Sequence, residues 1–320
     1  MEVIDNPSRQ EIIRAAQRLM DGSLVAFPTE TVYGLGADAT NETAVKRVYS
    51  VKGRPKDHPL IVHISSISNL NFWVSEISDY AIELARSFWP GPLTLILKRS
   101  DLARNFITGG QDNIALRVPS HKLAQTLLKE FENLGGHGIA APSANRFGAV
   151  SATTCESVKE ELGSYLLEQD LILNGGSSLV GVESTIVDCT NEQARILRPG
   201  AVTKEMIKVI TNVQHHDVKL PKIKTSGAFA SHYSPKAKVV LNSTAKKGDG
   251  FLALSSLTTP TGAIRLASPS NIQEYAKVLY EALRAGDRQG LERIVALTPD
   301  GEGLALAIRD RLMKSAGSKD

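Results

Sequence analysis

Helical and strand-like patterns alternate along the first two hundred residues, and this alternation constrains the fold more than any other feature. Ser8 and Glu11 form a capping-box pattern before an amphipathic run that ends at Gly22, and Asn41 and Gly53 bracket a second such run. Short β-branched runs, among them SLVAF, PLIVHI, LTLILKR and NIALRVP, read as strands between the helices. The sequence therefore predicts an α/β fold with a sheet of mixed direction. Residues 28–38, PTETVYGLGAD, are too rich in Pro, Thr and Gly to be expected as helix or strand.

The pattern stops at residue 211 and starts again near residue 237. Residues 212–236 show no sustained period of either kind, as expected for a linker or a functional loop. Beyond them, strand-like runs and two helical runs predict a small βαβ-type unit with its own core. We therefore expect a larger domain over residues 1–211, a linker over 212–236 and a smaller domain over 237–320.

Charge and cysteine content narrow the possible functions. The net charge of +3 comes from 25 basic against 25 acidic residues in positions 1–236, and 12 against 9 in positions 237–320. A protein that binds nucleic acid mainly through the electrostatic field of its net charge would be more basic. The two cysteines suggest neither a disulfide framework nor a metal site. The acidic N-terminus and the absence of a long apolar run predict a cytoplasmic protein without a membrane segment.

No phosphate-binding motif of the G-x-x-x-x-G-K-[ST] or complete G-x-G-x-x-G type is present. Instead, Lys52 and Arg54 flank Gly53 where the second helix should end. Two cations on one side of an extended segment suit several phosphate oxygens, although a solvated loop explains them as well. His63 lies in the following apolar strand, where a histidine alone has either a structural or a binding role.

Polar residues at the ends of other predicted strands favour a binding site. Arg117 lies within an apolar strand, where burial of its charge calls for a carboxylate partner. Ligand sites in α/β sheets gather at strand ends. Hydroxyl, amide and guanidinium groups from several segments therefore predict one pocket for an anionic ligand, with contributions from Thr29, Thr31, Arg117, Ser143, Asn145, Ser184, Thr185 and Arg198.

Seven ordered segments carry a family resemblance: PTETVYGLGADA, KGRPKDHPLIVHI, FWPGPLTLIL, ALRVPSH, APSANRFGAVS, GVESTIVD and LRPGAV. Over about residues 10–205 they closely resemble the threonylcarbamoyl-AMP synthase family. SHYSPKAKVV and the region after it resemble the longer, two-domain branch. The resemblance implies a YrdC-like mixed twisted sheet with flanking helices, plus a smaller Rossmann-like α/β C-terminal domain.

The resemblance also implies a reaction. Bicarbonate and the amine of L-threonine give N-carboxythreonine, whose new carboxylate attacks the α-phosphorus of ATP and releases pyrophosphate. Mg²⁺ would accompany the ATP, held largely by phosphates and water rather than by protein metal ligands. The product, threonylcarbamoyl-AMP, would serve a downstream transferase that modifies the adenosine beside the tRNA anticodon, so that any tRNA contact of this chain is indirect.

Residue roles follow from the same resemblance. The implied threonine site consists of Thr31, His63, Arg117, Ala141 and Ser184. The implied ATP site consists of Lys52, Arg54, His58, Asn113, Ser143, Asn145, Ser151, Arg198 and Tyr233. Lys52 and Arg54 would be the catalytic pair at the phosphates, and the segment around Tyr233 would form a lid that excludes water. His58 and Asn113 depart from the residue types usual in the family.

Two rival functions remain open from the sequence. A YrdC-like domain could bind double-stranded RNA, or assist ribosome maturation, without catalysis. A related enzyme could carbamoyl-adenylate a different acceptor with the same phosphate residues. The combination of Arg117, His63 and Ser184 favours an amino acid, and the even charge balance of the first domain argues against RNA.

Overall fold

The structure is a computed structural model that describes residues 1–211, 223–225 and 232–317. Its described helices are α1 (Arg9–Met20), α2 (Glu42–Lys52), α3 (Leu70–Trp73), α4 (Asp79–Phe88), α5 (Asn105–Thr108), α6 (Lys122–Asn133), α7 (Cys155–Leu162), α8 (Lys204–Thr211), α9 (Ile272–Arg288) and α10 (Leu304–Ala316). None of these helices is long and apolar enough to cross a membrane.

An eleven-stranded mixed sheet organises the first 200 residues. Its strands are β1 (Glu2–Asp5), β2 (Val25–Phe27), β3 (Gly34–Asp38), β4 (Ile61–His63), β5 (Val74–Glu76), β6 (Leu93–Arg99), β7 (Asn113–Arg117), β8 (Ile139–Ala140), β9 (Leu171–Asn174), β10 (Thr185–Asp188) and β11 (Arg195–Arg198). Their spatial order is β1-β9-β2-β3-β8-β4-β7-β6-β10-β11, with β5 paired to β6. Both parallel and antiparallel strand pairs occur along this order, which confirms the predicted mixed sheet.

Local capping signals place the helices where the sequence predicts them. The Ser8 side chain accepts a hydrogen bond from the Glu11 backbone amide, and the Glu11 carboxylate accepts one from the Ser8 backbone amide, so the capping box at the start of α1 is formed. The Asn41 side chain caps α2 by accepting a hydrogen bond from the Ala44 amide, and Gly53 ends that helix in the left-handed conformation. Because α2 stops there, Lys52 and Arg54 lie at the exit of the helix beside the sheet.

The expectation for residues 28–38 was wrong in its second half. Gly34–Asp38 form β3, antiparallel to β2 and to β8 in the middle of the sheet. A Cβ at Gly36 would come within 2.8 Å of the Ile139 and Phe27 side chains. Glycine is therefore required by close packing in this strand, rather than by a turn. The short elements β1 and α7 were also not anticipated.

The C-terminal residues form a parallel α/β unit, as the Rossmann-like prediction requires. Strands β12 (Lys238–Leu241), β13 (Gly250–Leu252), β14 (Ile264–Ala267) and β15 (Arg293–Ala296) run parallel in the order β12-β15-β13-β14. The core of this unit extends into the first domain. Val32, Val150 and Val182 of the first domain belong to the same buried cluster as α9 and α10, so the two domains share packed apolar surface.

Candidate active site

A cavity at the ends of several inner strands of the large sheet brings together residues from separate segments. Its wall consists of Thr29, Thr31, Val32, Tyr33, Gly34, Ile61, His63, Arg117, Ala141, Pro142, Ser143, Glu183, Ser184, Arg198, His232 and Tyr233. The wall includes all the residues predicted to contact threonine, together with Ser143, Arg198 and Tyr233 from the predicted ATP set. Six of the eight residues predicted to form one pocket meet in this wall, and Asn145 and Thr185 do not line it.

Strand register places two of the residues predicted to bind threonine side by side. His63 of β4 pairs with Arg117 of the parallel neighbour β7, so both side chains lie on the same face of the sheet. Burial, reinforced by the charge of Arg117, lowers the pKa of His63 to about 3. The imidazole is therefore neutral near pH 7, and it can accept or donate a hydrogen bond at the cavity without adding charge.

The carboxylate partner expected for Arg117 is Glu30. Arg117 Nη2 lies 2.7 Å from Glu30 Oε1 as an ion pair without hydrogen-bond alignment, and the two side chains are only 5% and 6% exposed. Arg117 Nη1 also donates to Thr31 Oγ1 at 2.8 Å, and the Ser120 amide donates to Glu30 Oε2 at 3.1 Å. The guanidinium is thus fixed in orientation, with Nη2 still able to donate a well-aligned hydrogen bond to a ligand.

Lys52 lies directly behind the cavity wall. Its ammonium donates to the backbone carbonyls of Ser143 and Asn145, both at 2.5 Å, and its side chain is buried. Burial, followed by the charge of Arg54, lowers the pKa of Lys52 well below the ordinary value. The ammonium holds the Ser143 to Asn145 turn in place from behind.

Arg54 is also buried, and it donates to the Pro59 carbonyl at 3.0 Å. Burial lowers its pKa to about 10, with a further contribution from Arg198 in the cavity wall. Desolvated cations that lower one another's pKa values form a site of high positive potential. Such a site favours a polyanion, because a bound anion would offset both the desolvation and the mutual repulsion.

Ser184 and Arg198 form a second polar side of the cavity. Arg198 donates to the Ser184 carbonyl through Nη2 at 2.8 Å and through Nε at 3.1 Å. The Ser184 hydroxyl lies 2.7 Å from Thr94 Oγ1. Both side chains are therefore held by neighbouring strands before any ligand arrives, which is the preorganisation that binding and catalysis require.

Glu183 is a cavity residue that sequence reasoning missed. Its carboxylate accepts hydrogen bonds from Ser151 at 2.6 Å, from Tyr280 at 2.8 Å and from Arg311 at 3.0 Å. Burial alone would raise the pKa of Glu183, but the charges of Arg311 and Arg198 lower it to about 2. Ser151, predicted to contact ATP, is completely buried and lies behind Glu183 rather than in the wall.

Part of the predicted linker closes one side of the cavity. His232 and Tyr233 lie in the wall, and the Ser234 amide donates to the Gly148 carbonyl at 2.9 Å. Tyr233 is buried and stacks on Tyr280 with ring centroids 5.5 Å apart. Residues 212–222 and 226–231 of the linker lie outside the described residues.

Six of the nine predicted ATP residues are not part of this wall: Lys52, Arg54, His58, Asn113, Asn145 and Ser151. Asn113 lines a neighbouring cavity together with Pro59, Ile61 and the linker residues Lys224 and Thr225. Ile61 belongs to the walls of both cavities, so the two spaces adjoin.

His58 packs beside Phe147 with ring centroids 6.3 Å apart, and Phe147 in turn contacts His232 with ring centroids 6.0 Å apart. His58 is therefore connected to the wall residue His232 through Phe147, without lining the cavity itself.

Known proteins resemble this chain over almost its whole length. A family model described as "Telomere recombination" matches residues 17–200, and one described as "Threonylcarbamoyl-AMP synthase, C-terminal domain" matches residues 202–317. The threonylcarbamoyl-AMP synthase of Pyrococcus abyssi is 39% identical, over 95% of this chain and 93% of its own. That of Bacillus subtilis is 37% identical, over 97% of this chain and 94% of its own.

A solved structure agrees with the whole architecture. The crystal structure of Pyrococcus abyssi Sua5 complexed with L-threonine matches at a TM-score of 0.87 and 36% identity. The match covers 98% of this chain and 97% of that one, so both domains are included. This chain therefore belongs to the threonylcarbamoyl-AMP synthase family, in its two-domain form.

Proposed function

We propose that this protein makes threonylcarbamoyl-AMP and pyrophosphate from L-threonine, bicarbonate and ATP. The observation that carries the proposal is the juxtaposition of two environments in one cavity. His63, Arg117 and Ser184 form one polar part of the cavity wall, and Ser143 and Arg198 adjoin it, with the buried cations Lys52 and Arg54 nearby. An amino acid and the α-phosphate of a nucleotide can thus meet within one desolvated space.

The threonine carboxylate is assigned to Arg117. Its Nη2 has no aligned hydrogen-bond partner, while its other nitrogens are held by Thr31 and by the Gly91 carbonyl. The neutral imidazole of His63 and the hydroxyls of Thr31 and Ser184 suit the hydroxyl and amine of threonine. Ala141 contributes apolar wall that suits the threonine methyl group.

The triphosphate is assigned to the side of Lys52, Arg54, Ser143 and Arg198. In the proposed step the carboxylate of N-carboxythreonine attacks the α-phosphorus, one oxygen–phosphorus bond forms, and the bond to pyrophosphate breaks. The chain's residues supply positioning and charge neutralisation, which is the main requirement of phosphoryl chemistry. Asn145 and Ser151 act from behind the wall, by holding the turn and the Glu183 carboxylate.

Asn113 and the adjoining cavity are assigned to the nucleoside part of ATP. That cavity combines the apolar side chains of Pro59, Ile61 and Ala115 with Asn113, a combination suited to a base with polar edges. We propose that His58 supports this region through Phe147 rather than by direct contact with the nucleotide.

We propose that ATP binds as its Mg²⁺ complex. Among residues 1–211, 223–225 and 232–317, no group of three or more His, Cys, Asp or Glu side chains could hold a metal ion. The ion would therefore be held by phosphate oxygens and water, with neutralisation of phosphate charge as its contribution.

The segment of His232 and Tyr233 is proposed to be a lid over the adenylate. It closes the cavity by contacts to both domains, and a closed cavity keeps water from a labile mixed anhydride. A downstream transferase would then receive the product and transfer its threonylcarbamoyl group to tRNA. We propose that both reactions take place in the cytoplasm.

RNA binding without catalysis is not favoured. Residues 1–211 carry 21 basic against 24 acidic residues, and four of the basic ones, Lys52, Arg54, Arg117 and Arg198, are buried in or beside the cavity. The test is pyrophosphate release from ATP with Mg²⁺ and bicarbonate, with L-threonine present, absent or replaced by L-serine. Release that requires both threonine and bicarbonate is expected, and no release from the folded protein would refute the proposal.

A further inference from the structure

Two side chains of the C-terminal domain reach into the cavity wall of the first domain. Tyr280 of α9 and Arg311 of α10 both donate to Glu183 Oε2, at 2.8 and 3.0 Å. Both donors are fully buried, and Glu183 is 7% exposed. The carboxylate is thus held from behind by the other domain, while Ser151 holds its second oxygen.

Helix α10 also holds the linker segment in the same place. Arg311 lies over the ring of Tyr233, with its guanidinium carbon 5.7 Å from the ring centroid. One turn later, Ser315 donates to the Tyr233 backbone carbonyl at 2.8 Å. Arg311 also donates to the Pro199 carbonyl, next to Arg198, at 2.9 Å. One helix of the second domain therefore contacts two wall residues, Glu183 and Tyr233, and the chain neighbour of a third, Arg198.

The electrostatic consequence concerns a polyanionic substrate. Glu183 is ionised in this site, and an uncompensated carboxylate would repel a triphosphate and attract the nearby Arg198. Arg311 neutralises Glu183 from the side away from the cavity. The hydrogen bonds from Tyr280 and Ser151 also direct the carboxylate lone pairs toward protein donors.

We propose that Arg311 and Tyr280 are positioning residues for ATP, acting through Glu183, and that the second domain thereby completes the nucleotide side of the active site. The proposal rests on the proposed function, since it concerns the same cavity. It gives the second domain a role in ATP binding, in addition to its packing against the first domain.

The alternative is that the second domain only packs against the first, and Arg288 provides a matched control for that possibility. Arg288 of α9 also bridges the domains, through Glu160 at 2.9 Å, but this pair is exposed and does not belong to the cavity wall. Loss of Arg288 removes an interdomain ion pair without touching Glu183.

The experiment compares R311M, Y280F and R288M with the wild-type full-length protein. We measure pyrophosphate release over ranges of ATP and threonine concentration, and threonine affinity by calorimetry. R311M is expected to raise the KM for ATP by about tenfold or more, with Y280F smaller in the same direction. Threonine affinity should stay within about twofold for all three, and R288M should leave both parameters near wild type.

The decisive comparison repeats R311M and Y280F in an E183Q background, in which the carboxylate has no charge to compensate. If Arg311 acts through Glu183, its loss should change the KM for ATP far less in E183Q than in the wild type. Equal effects in both backgrounds would overturn the proposal, as would a fall in kcat alone with both KM values unchanged. If R311M does not fold, the Y280F pair decides, because Phe keeps the stacked ring and loses only the hydroxyl.

Failure of this proposal is distinguishable from failure of the proposed function. Wild-type protein without threonine-dependent pyrophosphate release would remove the function itself. Active wild-type protein with a neutral Y280F and a neutral R311M would remove only the role of the second domain.

Discussion

Replacement of Arg117 by methionine separates the binding role of this residue from its structural one. Methionine replaces the aliphatic part of the Arg117 side chain with little change in shape. The substitution nevertheless removes a buried positive charge, whose Nη2 lies 2.7 Å from Glu30 Oε1. Loss of one partner leaves the other buried and unpaired, which costs about 3–5 kcal/mol of folding free energy. R117M should therefore be markedly less stable than wild type.

The same substitution should weaken threonine binding more than ATP binding. A charged hydrogen bond to the amino-acid carboxylate contributes about 1.5–3 kcal/mol. A loss near 3 kcal/mol corresponds to about a 100-fold rise in the Kd for threonine. ATP contacts the other side of the cavity in our assignment, so its affinity should change by much less.

The double variant R117M/E30Q provides the control. Because it removes both buried charges, it should recover most of the stability lost in R117M, although threonine binding stays weak. Urea unfolding measures stability, and calorimetry measures the two affinities. Recovery of threonine binding in the double variant would refute the assignment, and so would a larger loss of ATP affinity than of threonine affinity in R117M.

Three further predictions concern the phosphates, pH and the lid. K52M and R54M should each lower pyrophosphate release at least about 100-fold while threonine still binds; near-normal turnover would contradict the phosphate assignment. The folded protein keeps His63 neutral down to about pH 3, whereas the unfolded chain takes up its proton below about pH 6.5, so acidification favours unfolding. His63→Gln should therefore make the fall in unfolding free energy between pH 6 and 4 shallower by about 1.4 kcal/mol per pH unit; an unchanged slope in urea titrations would show that His63 is not buried neutral. Deletion of His232–Pro235 should increase the AMP released per threonylcarbamoyl-AMP formed, as measured by chromatography, and an unchanged ratio would count against a lid.

Much of the architecture could be predicted from local signals, because caps and apolar periods act over a few residues. The capping box at Ser8, the Asn41 cap and the stop at Gly53 are all formed. β3 could not be predicted, since its glycines reflect the packing of Phe27 and Ile139 from other strands. Such tertiary constraints are not visible in a local pattern.

The candidate site was predictable in its polar members but not in its carboxylates. Arg117 in an apolar strand called for a partner, yet nothing in the sequence distinguished Glu30 from other acidic residues. Glu183 stands directly before Ser184 and Thr185, at the start of a predicted strand, and that position was the available signal. Its partners Tyr280 and Arg311 come from a domain about a hundred residues away in sequence, so only the fold reveals the network.

The most direct test of the central claim follows carbon from bicarbonate into the product. Wild-type protein is incubated with ¹³C-bicarbonate, L-threonine and Mg²⁺-ATP, and the nucleotide products are analysed at once by mass spectrometry. The account predicts threonylcarbamoyl-AMP carrying one ¹³C atom, in amounts equal to the pyrophosphate released. Pyrophosphate release without a labelled adenylate, or an adenylate that forms equally well without bicarbonate, would contradict it.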